Sequence, residues 1–233
     1  MDKLYIVIPA YNEEENIENV VNQWYPIAEE YGAQMLVIND GSKDRTAEIL
    51  RECEKRCPLL TALSKRNGGH GAAVLYGYHY ALEHHADYIF QTDSDGQTDP
   101  AEFPAFWEER KNYDMVIGNR KHREDGVSRV FVTRVLRATI KSCFHVSIPD
   151  ANTPYRLMRA DTLRKYIFLI PQDFHLTNVL ISAIFAKKCC KVKYLPITFK
   201  PRQGGTNSLN MKKICKLGMQ SVKEFQKMNR ILQ

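Results

Sequence analysis

The sequence predicts an α/β protein with a mostly parallel central sheet flanked by helices. Over the first 120 residues, short apolar runs alternate with longer stretches of helical periodicity. The runs are continuous rather than alternating, as in strands buried on both faces of a parallel sheet. Polar clusters follow these runs, and a sheet of this kind places its ligands beyond the carboxyl ends of its strands.

Taken in order, Leu4 to Ile8 is a strand ended by Pro9. A helix follows from about Glu14 to Glu30, with Ile17, Val20, Val21, Trp24 and Ile27 at helical spacing. Met35 to Ile38 is a second strand, and Asp40-Gly41-Ser42 turns the chain. Asp44 can start the next helix, which runs to about Arg56. Leu59 to Leu63 is a third strand, Gly71 to Glu83 a third helix, and Tyr88 to Phe90 a fourth strand. Pro100 to Lys111 reads as helical and Met115 to Ile117 as a fifth strand. The second half is less regular. Val127 to Phe144 is helical and basic, and Tyr155 to Met158 is an expected edge strand. Phe174 to Phe185 is a helix, Val192 to Ile197 a strand, and Lys200 to Asn210 a loop. A final basic amphipathic helix is expected from Met211 to Leu232. No linker composition divides the chain, so residues 1–233 are expected to form one domain. Within it, residues 1–120 are set apart as a regular α/β half, 121–210 as a less regular half and 211–233 as the C-terminal helix.

With 233 residues, 26% of them charged, the chain can bury a core without staples. No apolar run approaches the roughly 20 residues of a membrane helix. The first residues lack a signal-peptide pattern, which predicts a cytoplasmic protein. The six cysteines form no pair of C-x-x-C units, so they read as free thiols rather than zinc ligands. The net charge of +6 is uneven. From Lys187 onward twelve Lys or Arg face Glu224 alone. The first 186 residues hold the other 21 basic groups and 26 acidic ones, so the front is near −5 and the tail near +11. Such a tail faces water, a phosphate, an anionic membrane or nucleic acid. Nucleic acid is disfavoured, because the tail has only Tyr194, Phe199 and Phe225 as stacking groups.

Asp93-Ser94-Asp95 is the principal chemical signal. Two carboxylates two residues apart at a strand end can approach one hard cation, Mg2+ or Mn2+, with Gln97 and Asp99 nearby. A metal on a diphosphate stabilises a departing nucleotide. The same residues equally suit a capped turn. Asp40, after the second strand, can accept hydrogen bonds from a base or ribose, or serve only its Asp-Gly turn. Glu13, in Tyr11-Asn12-Glu13, can bind ribose or base, or simply favour a helix start. Asn67-Gly68-Gly69-His70-Gly71 lets backbone amides approach a phosphate at a helix N-terminus, or is a flexible turn. It is neither a Walker loop nor a dinucleotide fingerprint. His70 itself reads as a surface residue.

Together these segments resemble the family 2 inverting glycosyltransferases of the GT-A fold, and among them the dolichol- or polyprenyl-phosphate sugar transferases. The resemblance rests on Val7-Ile8-Pro9-Ala10-Tyr11-Asn12-Glu13-Glu14, Ile38-Asn39-Asp40-Gly41-Ser42, Asn67-Gly68-Gly69-His70-Gly71 and Thr92-Asp93-Ser94-Asp95-Gly96-Gln97. It implies a nucleoside diphosphate-sugar donor, with Pro9, Ala10, Tyr11, Glu13, Asp40 and Gly71 in the donor site and Ala10, Glu13 and Asp40 against base and ribose. Asp93, Asp95 and Gln97 would hold the metal and diphosphate. Arg120 would lie near the donor phosphates, and Arg202 would clamp phosphate from a late R-x-x-G segment. Arg129 and Thr133, four apart on a helix, would receive a lipid phosphate. Asn207 stands where the family prefers Ser, and Pro154 where it carries Gly. Asp173 and His175 occupy a region where relatives that glycosylate a sugar hydroxyl carry a general base. The acceptor is thus expected to be a polyprenyl phosphate or, alternatively, a growing glycan. The C-terminal helix can touch an anionic membrane peripherally or pack on its own domain. A sugar nucleotidyltransferase, the competing enzyme class, would show a glycine-rich basic loop where Pro9 to Glu13 stands.

Overall fold

The computed structural model describes residues 2–120, 127–200, 222 and 224–232, with side chains left undescribed at 127–133. Seven strands form one sheet: β1 (Leu4–Ala10), β2 (Gln34–Asn39), β3 (Leu60–Ser64), β4 (Tyr88–Gln91), β5 (Met115–Asn119), β6 (Arg156–Arg159) and β7 (Val192–Pro196), in the order β3-β2-β1-β4-β6-β5-β7. Pairs β1–β2, β2–β3, β1–β4 and β5–β7 are parallel. β6 runs antiparallel to both β4 and β5.

Every residue of β1 is buried, which explains its unbroken apolar run. Helices α1 (Ile17–Tyr31), α2 (Thr46–Arg56) and α4 (Phe103–Glu108) belong to one face. There Trp24 packs on Phe90, Phe103 and Tyr155 with ring centroids 5.2–6.5 Å apart. The other face carries α3 (His70–Glu83), α5 (Val127–Phe144), α6 (Ala160–Tyr166) and α7 (Thr177–Lys187). Residues 224–231 are helical, and Phe225 and Met228 are buried in this second core, with Phe225 against Phe144 and Phe174. This stretch of the expected C-terminal helix therefore packs on its own core. The rest of that helix, from Met211, lies outside the described residues. Among the described residues no helix is long and apolar enough to cross a membrane. Cys53, Cys57 and Cys143 are buried free thiols, as expected, and Cys189 is an exposed one.

Three expectations change. Tyr155 to Met158 is not an edge strand, because β6 lies between β4 and β5. Its Arg156 is wholly buried, with guanidinium nitrogens donating to the carbonyls of Ala151, Thr153 and Asn178 and to Ser182 Oγ. A charged residue is compatible with a central strand when its donors are met in this way. The helix expected over Pro100 to Lys111 is broken into a 3-10 turn, the six residues of α4 and a second 3-10 turn. α6 was not foreseen.

The chain order places β2 on one side of β1 and β4 on the other. Such a reversal opens a crevice at the carboxyl ends of the two strands. Tyr11 to Glu13 follow β1 there, and Asp93 lies two residues beyond β4.

Candidate functional site

Four loops meet at this crevice. The β1–α1 and β2–α2 loops are stitched together by hydrogen bonds. Asn12 N–H donates to Ser42 Oγ, and Lys43 N–H to Asn12 Oδ1. Glu13 N–H donates to Thr46 Oγ1 at 2.8 Å, and the Glu13 carboxylate accepts from Asn16 Nδ2. Asp44 accepts from the Thr46 hydroxyl, its N–H, and Glu14 N–H. Burial opposes ionisation of Asp44, but these donors outweigh it and hold its pKa below the usual carboxylate value. Pro9 and Ala10 are buried at the end of β1, whereas Tyr11 is 44% exposed at the rim.

Asp40 is almost fully buried. Its carboxylate receives Lys65 Nζ and the N–H groups of Gly68 and Gly69, the latter at 2.7 Å. Thus Asp40 shapes the glycine loop directly. Gly41 has φ +68°, and a Cβ there would lie 2.8 Å from Asn67 N, so only glycine suits the turn under this loop.

The loop between Thr92 and Thr98 is closed at its neck by a 2.7 Å bond between the two hydroxyls. Asp93 Oδ1 accepts from Gln91 Nε2 at 3.0 Å and is bonded to His70 Nε2 at 2.9 Å. His70 is on the surface, as expected, with its side chain 49% exposed, and it also partners the first aspartate. As the first residue of α3 it reaches across the end of β4. Burial disfavours its imidazolium, but the charge of and bond to Asp93, with Asp95 beyond, raise its pKa overall. Asp95 Oδ1 accepts from Gln97 N–H. Gln97 Nε2 is committed to the Lys200 carbonyl at 2.7 Å, and Lys200 N–H returns a bond to Gln97 O. Lys200 Nζ also pairs with Asp99, and this bond first, with Ala101 N–H, lowers the Asp99 pKa against burial.

Arg120 and Asp150 form a bidentate pair at 2.8 and 2.9 Å, both nearly buried, with the guanidinium 4.8 Å from the Phe199 ring centroid. The arginine expected beside the donor phosphates is thus braced by a carboxylate. Asp173 and His175 are exposed. Their segment lies on the glycine loop, where Thr177 Oγ1 donates to both Gly71 O and Phe174 O. Arg202 lies outside the described residues, as do the side chains of Arg129 and Thr133, whose backbone belongs to α5.

The donor set fits a hard divalent cation. Among the described residues no three His, Cys, Asp or Glu side chains converge as a closed metal cage. Mg2+ and Mn2+ bound with a nucleotide take one or two carboxylates, with phosphates and waters completing the shell. Asp93 and Asp95 at an open rim match that arrangement, and Asp93 is 25% exposed. Sequence reasoning found both aspartates and Gly71 but missed His70 and Gln91. The available signal for Gln91 was a polar residue ending an otherwise apolar strand.

Comparison with known proteins agrees with this geometry. The model of glycosyl transferase family 2 matches residues 5–167. An undecaprenyl-phosphate 4-deoxy-4-formamido-L-arabinose transferase from Edwardsiella ictaluri is 25% identical over 217 residues, covering 91% of this chain and 64% of that protein. Its counterpart from Pseudomonas paraeruginosa is 25% identical over 198 residues, covering 83% and 57%. The chain therefore spans less than two thirds of the length of these relatives. Glucosyl-3-phosphoglycerate synthase from Mycobacterium tuberculosis, solved with Mn2+, UDP-glucose and phosphoglyceric acid, superposes with a TM-score of 0.73 at 15% identity, covering 98% of this chain and 80% of that one. These structural neighbours share the GT-A fold. By the match of the family model over most of its length, the chain belongs to glycosyl transferase family 2.

Proposed function

We propose that this chain is a metal-dependent glycosyltransferase that moves a sugar, expected to be a hexose, from a nucleoside diphosphate-sugar to a polyprenyl phosphate. The observation that carries the reading is the placement of Asp93 and Asp95 at the β1/β4 switch point, with His70 and Gln91 bonded to Asp93. The relatives named for undecaprenyl-phosphate sugar transfer support the acceptor class. Residues 1–233 are taken as one catalytic domain, with any membrane contact peripheral and on the cytoplasmic face.

In this reading Asp93 and Asp95 hold the cation, with Gln97 completing the loop that carries them. A bound Mg2+ or Mn2+ supplies electrostatic stabilisation of the departing diphosphate. The chain's own groups do the positioning. The loops after β1 and β2 receive the base and ribose. Gly68 and Gly69 N–H are engaged by Asp40, so what this segment offers the anionic diphosphate is the positive N-terminal end of α3. The Arg120–Asp150 pair presents a fixed cation to the same region. The acceptor oxygen forms its bond to the anomeric carbon as the bond to the diphosphate breaks on the opposite side, so configuration inverts. A phosphate acceptor is already anionic and needs no general base, whereas a sugar hydroxyl does. Arg129 and Thr133 would receive the acceptor phosphate.

The test is sugar transfer from labelled UDP- and GDP-sugars to undecaprenyl phosphate in detergent, read as label extracted into organic solvent. Lipid-linked sugar from one donor is the expected result. Asp173→Asn is then expected to retain most of the rate. Label entering only a polysaccharide acceptor, with Asp173→Asn inactive, would replace this reading with the glycan-extending one.

A further inference from the structure

We propose that Gln91 is the positioning residue for the Asp93 carboxylate, and that a buried amide relay from Asn178 through Gln91 sets the face Asp93 presents to a divalent cation. The inference rests on the metal-site reading given above.

Gln91 is wholly buried at the last position of β4. Its Nε2 donates to Asp93 Oδ1 at 3.0 Å. Its Oε1 accepts from Asn178 Nδ2 at 3.0 Å and from the Tyr78 hydroxyl at 3.4 Å. These partners fix the amide in one sense. Flipping Gln91 would set its carbonyl against the Asp93 carboxylate and its NH2 against the Asn178 NH2, an acceptor clash and a donor clash together. Flipping Asn178 as well would cure the second clash and leave the first. The charge on Asp93 thus selects the direction of the whole relay. Asn178 is itself anchored, since its backbone carbonyl accepts from the buried Arg156 Nη1 at 2.9 Å.

One feature of Asn178 follows from this direction. Its Oδ1 is buried and has no hydrogen-bond partner. An orphaned acceptor in a core calls for a physical reason. Here the reason is that Nδ2 must face Gln91 Oε1, which fixes the amide with Oδ1 on the side where it has no partner. Apolar side chains at 91 and 178 would remove this orphan and leave only the long 3.4 Å bond from the Tyr78 hydroxyl to be replaced, so the polar relay is accounted for by what it does at Asp93. Partners behind a metal ligand fix its orientation and basicity, and their loss typically weakens metal binding roughly ten- to hundred-fold.

The test uses the full chain and Mn2+ titrated in the presence of UDP, with free Mn2+ read by electron paramagnetic resonance and folding checked by thermal unfolding. Gln91→Met keeps the length and removes both amide groups. It is expected to weaken Mn2+ binding roughly ten- to hundred-fold, and Asn178→Ala to weaken it by less. Thr162→Val is the control for a purely structural loss. It removes a partly buried side-chain bond to Asp114 remote in sequence from the relay and is expected to leave Mn2+ affinity unchanged. Wild-type Mn2+ affinity in folded Gln91→Met would overturn the relay while leaving the metal site standing. If Gln91→Met does not fold, Asn178→Ala decides, and unchanged affinity there overturns the relay. Failure of the wild-type chain to bind Mn2+ would overturn both the relay and the metal assignment.

Discussion

Gly71→Ala sets two local effects against each other. Alanine favours a helix over glycine by about 1 kcal/mol, and Gly71 is in the first turn of α3. Yet a Cβ at this position would lie 2.8 Å from the carbonyl carbon and oxygen of His175, and closer still to the Phe174 carbonyl oxygen. Ordinary contact begins near 3.4 Å, so the His175 backbone must retreat by at least about 0.6 Å. Backbone atoms cannot rotate away as a side-chain tip can. Overpacking of this kind costs about 1–3 kcal/mol, and here the upper part of that range applies. The net expectation is a loss of about 1–2 kcal/mol, or roughly 2–8 °C in Tm for a chain of this size. The displaced segment carries His175 and is tied to Gly71 through Thr177 Oγ1. Gly71 also lies in the segment proposed to hold the donor diphosphate at the start of α3, so transfer kcat/KM should fall by roughly tenfold or more, since a small misplacement of the donor is costly. Differential scanning fluorimetry and the organic-extraction assay read the two effects. A Tm equal to or above wild type would mean that helix propensity wins and that the two segments are not in the contact described.

Two further outcomes follow from the site's charged groups. Asp150→Ala leaves the nearly buried Arg120 without its bidentate partner, which should cost about 3–5 kcal/mol in urea unfolding; a loss below about 1 kcal/mol would show the pair to be effectively solvated. Asp44 has a native pKa below its unfolded value, so the unfolded chain binds more protons in the acid range and stability rises with pH there. Its contribution is complete above the unfolded value of about 3.9 and is lost as pH falls through the lower native value. Asp44→Asn should therefore flatten the acid limb of the stability–pH curve, measured by urea midpoints, and an unchanged limb would remove Asp44 from the account.

The legible part of this protein was the part whose physics is local. β1, β2, β4 and β5 announced themselves because strands buried on both faces must be apolar at every position, and the helices between them kept a clear 3.6-residue period. Asp93, Asp95 and Gly71 were visible because they stand in short segments at strand ends. β6 was placed at an edge because it is four residues long with an arginine at each end, and its central position depends on carbonyls from residues 151, 153 and 178 that gather around Arg156 only in the folded chain. α6, with the sequence Ala-Asp-Thr-Leu-Arg-Lys-Tyr, is too short for periodicity to register. His70 and Gln91 escaped for the same reason as β6. Each acts on Asp93 from another element or another layer, and spacing along the chain carries no record of that approach. The bonds of the buried Asp40 carboxylate to Lys65 and the glycine loop were illegible in the same way, because both partners come from a later part of the chain.

In the proposed reaction Asp93 and Asp95 bind a nucleoside diphosphate through a divalent cation. Isothermal titration of UDP and GDP into wild-type protein and into Asp95→Ala, each with Mn2+ and with EDTA, tests it most directly. The wild-type chain is expected to bind one nucleotide in Mn2+, with binding lost in EDTA and lost in the folded variant. Equal binding in EDTA, or wild-type affinity in Asp95→Ala, would contradict it.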